Sequence, residues 1–93
     1  MSCSGYWVYI LLCENNTYYT GYTNNLEKRY LCHVDGTGSK YTRSFKPVKI
    51  AQAWEIHEGK RKAMQVERYI KKLSRSDKDK IITEPKLLDL QVI

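Results

Sequence analysis

Two side chains of this sequence that could take part in a reaction, Arg29 and His33, lie four residues apart. At about 100° per residue, both lie in one sector of a helix together with Leu26 and Tyr30, whose apolar surfaces make that sector the buried one. An unpaired guanidinium is costly to bury, so either a carboxylate of the protein or a phosphate of a ligand must meet Arg29. The alternative is a structural ion pair beside a neutral packing histidine.

Two tyrosines could add hydroxyl groups to the same place. The apolar run at residues 6–13 and the tyrosine-rich run at 17–22 predict two antiparallel strands joined by a three-residue turn. In this register Tyr9 faces Gly21, and Tyr19 lies on the same face of the sheet. Gly21 leaves a gap in which a phenol could turn or a phosphate could approach. Tyrosines that simply pack in the core and at the sheet edge are the alternative.

A segment that combines small residues, cations and aromatic rings follows at residues 36–47. We expect a loop that grips a phosphodiester backbone, because lysine and arginine bind phosphate and aromatic rings stack on bases. The residues expected to bind nucleic acid are Lys40, Tyr41, Arg43 and Lys46. A solvated loop with incidental lysines is the competing interpretation.

A carboxylate completes the set of candidate residues. The pattern predicts a third strand at residues 48–56 and a long helix at about 60–73, with Glu67 at the margin of its apolar stripe. Glu67 could hold a hard divalent cation that keeps most of its water, as magnesium does. It could equally be the partner that neutralises Arg29, and the sequence does not separate these roles.

These elements predict one α/β (α+β) domain over the whole chain, with a core at about 6–82 and an apolar tail at 84–93. A small three-stranded antiparallel sheet is flanked by helices in the order β-β-α-β-α-α. We expect Asn24 to cap the first helix, with Glu27 reaching back to it, and Ser76 to cap the last. The tail is expected to fold back on the core, with pairing to a second copy as the alternative.

Composition narrows the partner and the compartment. A formal net charge of +6 and a pI near 9.3 favour a polyanionic partner, although helical lysines are also ordinary solvated faces. Three cysteines, Cys3, Cys13 and Cys32, without a C-x-x-C pair argue for a reducing compartment and against a structural zinc site. No run reaches the roughly 18 to 20 apolar residues of a membrane span. We therefore expect a cytoplasmic protein without a membrane partner.

The order and spacing of these residues resemble the GIY-YIG endonuclease superfamily, and more closely its small stand-alone, single-domain (UPF0213-like) branch. Residues 7–9 (Trp-Val-Tyr) and 19–21 (Tyr-Thr-Gly) stand where the two signature triplets fall. Arg29, His33 and Glu67 occupy the positions of the family's arginine, its histidine or tyrosine, and its metal-binding glutamate. The sequence departs from the family where tryptophan replaces the first glycine, and where no asparagine clearly follows the glutamate.

The resemblance implies a metal-dependent endonuclease that hydrolyses DNA phosphodiester bonds in DNA repair or processing, with a single Mg²⁺ or Mn²⁺ on Glu67. One tyrosine, Tyr9 or Tyr19, would take a proton from water with help from His33, while Arg29 meets the charge on the phosphate. His33 is a rival for the role of base. Because a phenol has a pKa of about 10, a cationic neighbour must favour its phenolate form.

The expected substrate is DNA, and RNA is not excluded. Because the chain offers no separate domain to read a long sequence, we expect the protein to recognise the shape of the nucleic acid. A monomer or a weak homodimer is expected. Two other functions remain open: a catalytically inactive nucleic-acid-binding module of the same fold, and a protein-interaction domain whose positive charge meets an acidic partner. The first would bind in a salt-sensitive way without cleaving, and the second would not bind nucleic acid at moderate salt.

Overall fold

The computed structural model describes residues 5–93, and the central element is strand β1 (Tyr6–Cys13). Strands β2 (Tyr18–Thr23) and β3 (Pro47–Ile56) pair with β1 on either side, both antiparallel, which gives the sheet order β2-β1-β3. Because β1 lies in the middle of the sheet, it is apolar along nearly its whole length, and most of its side chains are buried. The predicted three-stranded antiparallel sheet is confirmed.

The hairpin of β1 and β2 has the register that the sequence predicts. Tyr9 pairs with Gly21, and Leu11 pairs with Tyr19. Asn16 has a φ of 62°, so it supplies the left-handed residue that a three-residue turn requires. Tyr9, Tyr19 and Gly21 therefore lie on one face of the sheet.

Four helices flank this sheet, and they are α1 (Leu26–Asp35), α2 (Lys40–Ser44), α3 (Lys60–Lys71) and α4 (Arg75–Thr83). The predicted order β-β-α-β-α-α is confirmed, but α2 is an additional short helix in the segment that we expected to be a loop. Ser39 explains why α2 forms, because its side chain accepts a hydrogen bond from the backbone nitrogen of Thr42 and so caps the helix. A 3₁₀ turn at Pro85–Leu87 follows α4.

Two of the predicted helix caps are wrong. The cap of α1 is Asn25, not Asn24, and its side chain accepts from the backbone nitrogen three residues later at 3.1 Å. Glu27 is therefore the second residue of the helix and cannot reach back as the third residue of a capping box does. Helix α4 is capped by Ser74, not Ser76, and begins earlier than predicted.

The apolar tail folds back on the core, which lies against one face of the sheet and is built from Val8, Ile10, Trp54, Ile56, Ala63, Val66, Ile70, Ile81 and Leu88. Leu88 is buried in this cluster, and Leu90 and Ile93 pack against it. Two hydrogen bonds fix the tail, from Trp54 Nε1 to the Pro85 carbonyl at 3.1 Å and from Lys62 Nζ to the Ile93 carbonyl at 2.9 Å. The tail thus adopts the folded-back arrangement.

The expectations about the cysteines and about membrane spans can be compared with the structure. Cys13 is a buried free thiol at the end of β1, and Cys32 is a partly buried free thiol in α1. The third cysteine, Cys3, lies outside the described residues. Across residues 5–93, the helices are all too short or too polar to cross a membrane.

Candidate active site

A cavity of about 390 Å³ opens beside the hairpin, with walls from β1, β2, α1 and α3. Four of the groups that the sequence predicts to converge line it, and they are Tyr9, Tyr19, Arg29 and Glu67. Gly21 lies in the same wall. The fifth predicted group, His33, is fully buried and lies behind Tyr9, one hydrogen bond away from the cavity.

Tyr9 and His33 form the central pair of the site. The Tyr9 hydroxyl oxygen lies 2.9 Å from His33 Nε2, and His33 Nδ1 lies 2.7 Å from Thr42 Oγ1. Tyr19 also contacts His33, but edge-on through its ring, with 5.1 Å between the centroids. His33 therefore contacts both tyrosines. Of these two, which both belong to the described residues, it forms a hydrogen bond with Tyr9 alone.

Two glycines make this arrangement possible. A Cβ atom on Gly21 would lie 2.5 Å from the Tyr9 hydroxyl oxygen, and one on Gly38 would lie 2.5 Å from His33 Nδ1. Both distances are too short for non-bonded atoms. The gap that the sequence predicts opposite Tyr9 is therefore filled by the Tyr9 phenol itself, which uses the space to reach His33.

Arg29 faces the cavity and has no acidic partner among residues 5–93. Its Nη2 donates a hydrogen bond to the carbonyl oxygen of Gly38 at 3.1 Å. Among residues 5–93, no carboxylate lies within ion-pair distance of this guanidinium, and Glu67 pairs instead with Lys71 Nζ at 3.4 Å. The ion pair of Arg29 with Glu67, which the sequence left open, is thus not formed. The guanidinium is held in place by a neutral carbonyl and remains available to an anion.

Burial controls the protonation of the central pair. It raises the pKa of Tyr9 to about 12, while Arg29 acts in the opposite direction and Tyr19 and Glu67 act in the same direction as burial. Burial, followed by the positive charge of Arg29, lowers the pKa of His33. A cationic neighbour does favour the Tyr9 phenolate, as expected, but burial outweighs it. At neutral pH the pair is a phenol and a neutral imidazole.

Glu67 is the acidic group of the cavity, and its side chain is 18% exposed. In the described part of the chain, no three His, Cys, Asp or Glu side chains cluster as a set of metal ligands, and Glu67 is the one carboxylate among the residues that line the cavity. Mg²⁺ usually keeps several waters and binds through one or two carboxylates and the phosphates of a substrate. A single carboxylate in an open cavity fits a hydrated Mg²⁺ or Mn²⁺.

Helix α2 carries the residues that the sequence predicts to bind nucleic acid. Lys40 and Arg43 are exposed on α2, and Lys46 is exposed just after it. Tyr41 stacks on Tyr19, with 6.0 Å between the ring centroids and an angle of 21° between the planes. Since Tyr19 lines the cavity, this contact places Tyr41 of α2 next to a residue of the cavity wall.

Three further residues of the site are not apparent from the sequence. Thr42 is fully buried against His33, and Ser39 lies 2.9 Å from the Thr42 hydroxyl. Their spacing, from a helix cap to the third helical residue, was the available signal, but a five-residue helix leaves no periodic pattern. Lys60 lines the cavity at the start of α3, although its position in a lysine-rich helix is typical of a solvated residue.

The fold and the site together define the class of the protein. The sequence model of the GIY-YIG catalytic domain matches residues 5–80, which include β1 and β2 and all of the cavity residues. The chain therefore belongs to the GIY-YIG family, which is a family of nucleases.

Within this family, the chain is similar to UPF0213 proteins over most of its length. It is 49% identical to a UPF0213 protein of Bacillus licheniformis, covering 90% of this chain and 86% of that protein. It is 51% identical to one of Clostridium perfringens, covering 83% and 82%. The solution NMR structure of a UPF0213 protein from Bacillus halodurans is similar, with a TM-score of 0.54 and 37% identity over 85% of this chain and 83% of that one.

Proposed function

We propose that this protein is a metal-dependent endonuclease that hydrolyses DNA phosphodiester bonds in the cavity lined by Tyr9, Arg29 and Glu67. The observation that carries the proposal is the guanidinium of Arg29, which faces a cavity and has no carboxylate against it within residues 5–93. A half-buried guanidinium that has no carboxylate against it within residues 5–93 can pair with an anion from outside the chain, such as a phosphate. The net charge of +6 and the exposed cations of α2 support a polyanion as its source.

Tyr9 and His33 act as a proton-transfer pair in this proposal. As water attacks the phosphorus, the Tyr9 oxygen takes a proton from the water while its own proton passes to His33 Nε2, 2.9 Å away. The phenol does not need to ionise in advance, which a pKa of about 12 would prevent. The lowered pKa of His33 keeps the imidazole neutral and able to accept the proton. Tyr19 packs against His33 and shapes the cavity.

Arg29 stabilises the negative charge that develops on the phosphate oxygens. The hydrogen bond to the Gly38 carbonyl fixes its guanidinium before the substrate arrives, so little reorganisation is needed during the reaction. Glu67 would hold Mg²⁺ or Mn²⁺, and such an ion stabilises charge on the leaving oxygen.

The cations of α2 position the DNA in this proposal. Lys40, Arg43 and Lys46 would contact phosphates, and Tyr41 would stack on a base at the rim of the cavity. Contacts of this kind read the shape of the nucleic acid more than its sequence, which favours a structure-selective enzyme of DNA repair or processing. RNA is a second substrate to be tested, and we propose a monomer or weak homodimer that works in the cytoplasm.

Incubation with a panel of labelled DNA tests this function directly. Wild type and Glu67→Ala are each incubated with single-stranded, duplex, flap and branched DNA in the presence of Mg²⁺ or Mn²⁺. We expect wild type to cleave at least one substrate and Glu67→Ala to lose that activity. Glu58→Ala, at an exposed carboxylate before α3, is the matched control and should cleave normally. Equal cleavage by Glu67→Ala would contradict the proposed metal site, and binding without any cleavage would instead support the inactive binding module.

A further inference from the structure

A line of polar groups continues from His33 away from the cavity. His33 Nδ1 lies 2.7 Å from Thr42 Oγ1, which in turn lies 2.9 Å from Ser39 Oγ and 3.4 Å from the Ser39 carbonyl oxygen. Thr42 is fully buried, and it is placed by the first turn of α2, which Ser39 caps. Thr42 is not part of the cavity wall, so it would act on the reaction only through His33.

The direction of the hydrogen bonds along this line follows from the Tyr9 hydroxyl, which lies at its cavity end. Arg29, which also lines the cavity, has only N–H donors, so it cannot take the hydrogen of the phenol. Among the side chains of residues 5–93, the acceptor within hydrogen-bond distance of this hydroxyl is His33 Nε2. A buried hydroxyl without an acceptor is costly. The Tyr9 hydroxyl therefore donates to Nε2.

This direction fixes the tautomer of His33. A neutral imidazole carries one hydrogen, so an Nε2 atom that accepts requires an Nδ1 atom that donates. Thr42 Oγ1 is then the acceptor of the Nδ1 hydrogen, and its own hydroxyl donates onward to Ser39. This assignment gives each of these groups a hydrogen-bond partner.

We propose that Thr42 is a positioning residue that holds His33 in the tautomer with hydrogen on Nδ1, so that Nε2 is free to receive the proton of Tyr9. The catalytic part of this proposal rests on the function proposed above, while the tautomer itself does not. When the proton moves, the O–H bond of Tyr9 breaks and an N–H bond forms at Nε2. The resulting imidazolium keeps its hydrogen bond from Nδ1 to Thr42.

A second close contact at Nδ1 of His33 supports this role. Gly38 packs so closely against His33 that a Cβ atom there would lie 2.5 Å from Nδ1 and 2.9 Å from Cε1. The carbonyl of the same Gly38 accepts the hydrogen bond from Arg29. The segment from Gly38 to Thr42 thus positions both the proposed proton acceptor and the proposed phosphate-binding cation.

Side-chain ¹⁵N NMR of wild type, Thr42→Val and Thr42→Ser tests the tautomer, because protonated and unprotonated ring nitrogens have different shifts. The chain has two histidines, so His33→Gln assigns the signals. We expect wild type and Thr42→Ser to carry the hydrogen on Nδ1. Thr42→Val keeps the shape of the side chain and removes the acceptor, so it should show a mixture of tautomers or mainly hydrogen on Nε2.

Cleavage assays complete the test. Thr42→Val should lower kcat by roughly 10- to 100-fold, as the loss of a supporting hydrogen bond does at other sites, with little change in KM, and Thr42→Ser should restore most of it. Thr83→Val, at an exposed threonine at the end of α4, is the matched control. A wild-type spectrum with hydrogen on Nε2 would overturn the proposal, as would an unchanged tautomer in a folded Thr42→Val protein. Because the wild-type spectrum can be recorded without any activity, an inactive enzyme would refute the proposed function without deciding the tautomer.

Discussion

Substitution of Gly21 by alanine is the most direct test of the geometry of the site. The added methyl group would lie 2.5 Å from the Tyr9 hydroxyl oxygen and 2.7 Å from Cζ of the same ring. Gly21 does not have a positive φ, so alanine causes no backbone strain at this position. The effect of the substitution is therefore confined to the contact with Tyr9.

The size of the displacement can be worked out from these distances. Ordinary contact begins at 3.4 Å, so the Tyr9 hydroxyl and the new methyl must separate by about 0.9 Å. The Tyr9 ring is 2% exposed and has little room to move within the sheet. A shift of this size disrupts the 2.9 Å hydrogen bond to His33, and a misplacement of about 1 Å can lower a catalytic rate by about 100-fold. Overpacking should also destabilise the fold by about 1–3 kcal/mol.

Single-turnover cleavage and urea denaturation measure these two effects separately. Gly21→Ala should lower the single-turnover rate constant by about 100-fold at a temperature where the variant is fully folded, with DNA affinity close to that of wild type. Gly5→Ala is the matched control, because its methyl would meet its nearest neighbour, Glu55 Oε2, at an ordinary 3.5 Å. A folded Gly21→Ala enzyme that cleaves like wild type would refute the role of the Tyr9–His33 hydrogen bond.

Three further changes address the other parts of the site. Arg29→Ala should abolish cleavage but leave most of the DNA affinity, because one cation among many adds little to binding; cleavage at the wild-type rate would rule out the proposed site. Lys40→Ala combined with Arg43→Ala should do the reverse, and if each residue contacts a phosphate, the slope of log affinity against log salt should fall by about 1.8 for duplex DNA. The folded state lowers the pKa of His33, so below pH 6.5 the unfolded chain binds a proton at this residue more readily than the folded protein does. The free energy of unfolding that neutral His33 contributes is therefore present above pH 6.5 and should be lost as the pH falls through the pKa of His33 in the folded state. His33→Gln should weaken this acid dependence of the urea midpoint, and an unchanged dependence would argue against it.

The register of the hairpin could be predicted because it depends on local rules. The side chains of a strand alternate with a period of two, and a turn of known length then fixes which residues face each other. Asn16 in the left-handed region and Gly21 opposite Tyr9 are local choices that agree with this register. The grouping of Tyr9, Tyr19 and Gly21 follows from the sequence for this reason.

The polar support of His33 could not be predicted in the same way. Thr42 of α2 is buried against His33 of α1. A contact between two different elements leaves no pattern in the local sequence. Helix α2 itself has five residues, too few for an apolar period to be visible. The cap of α1 was misplaced by one position because two asparagines are adjacent, and both Asn24 and Asn25 are good caps.

If a phosphate binds at Arg29 as proposed, it would change the balance of protonation between Tyr9 and His33. Burial disfavours charge on both partners, so in the free protein a proton transfer from Tyr9 to His33 would create two charges in a buried place. The positive charge of Arg29 adds to the cost on the histidine side, since it also lowers the pKa of His33. A phosphate against Arg29 would compensate that charge and raise the pKa of His33 again. On this reasoning, the proposed substrate itself makes His33 a better proton acceptor, and the free enzyme keeps both groups neutral.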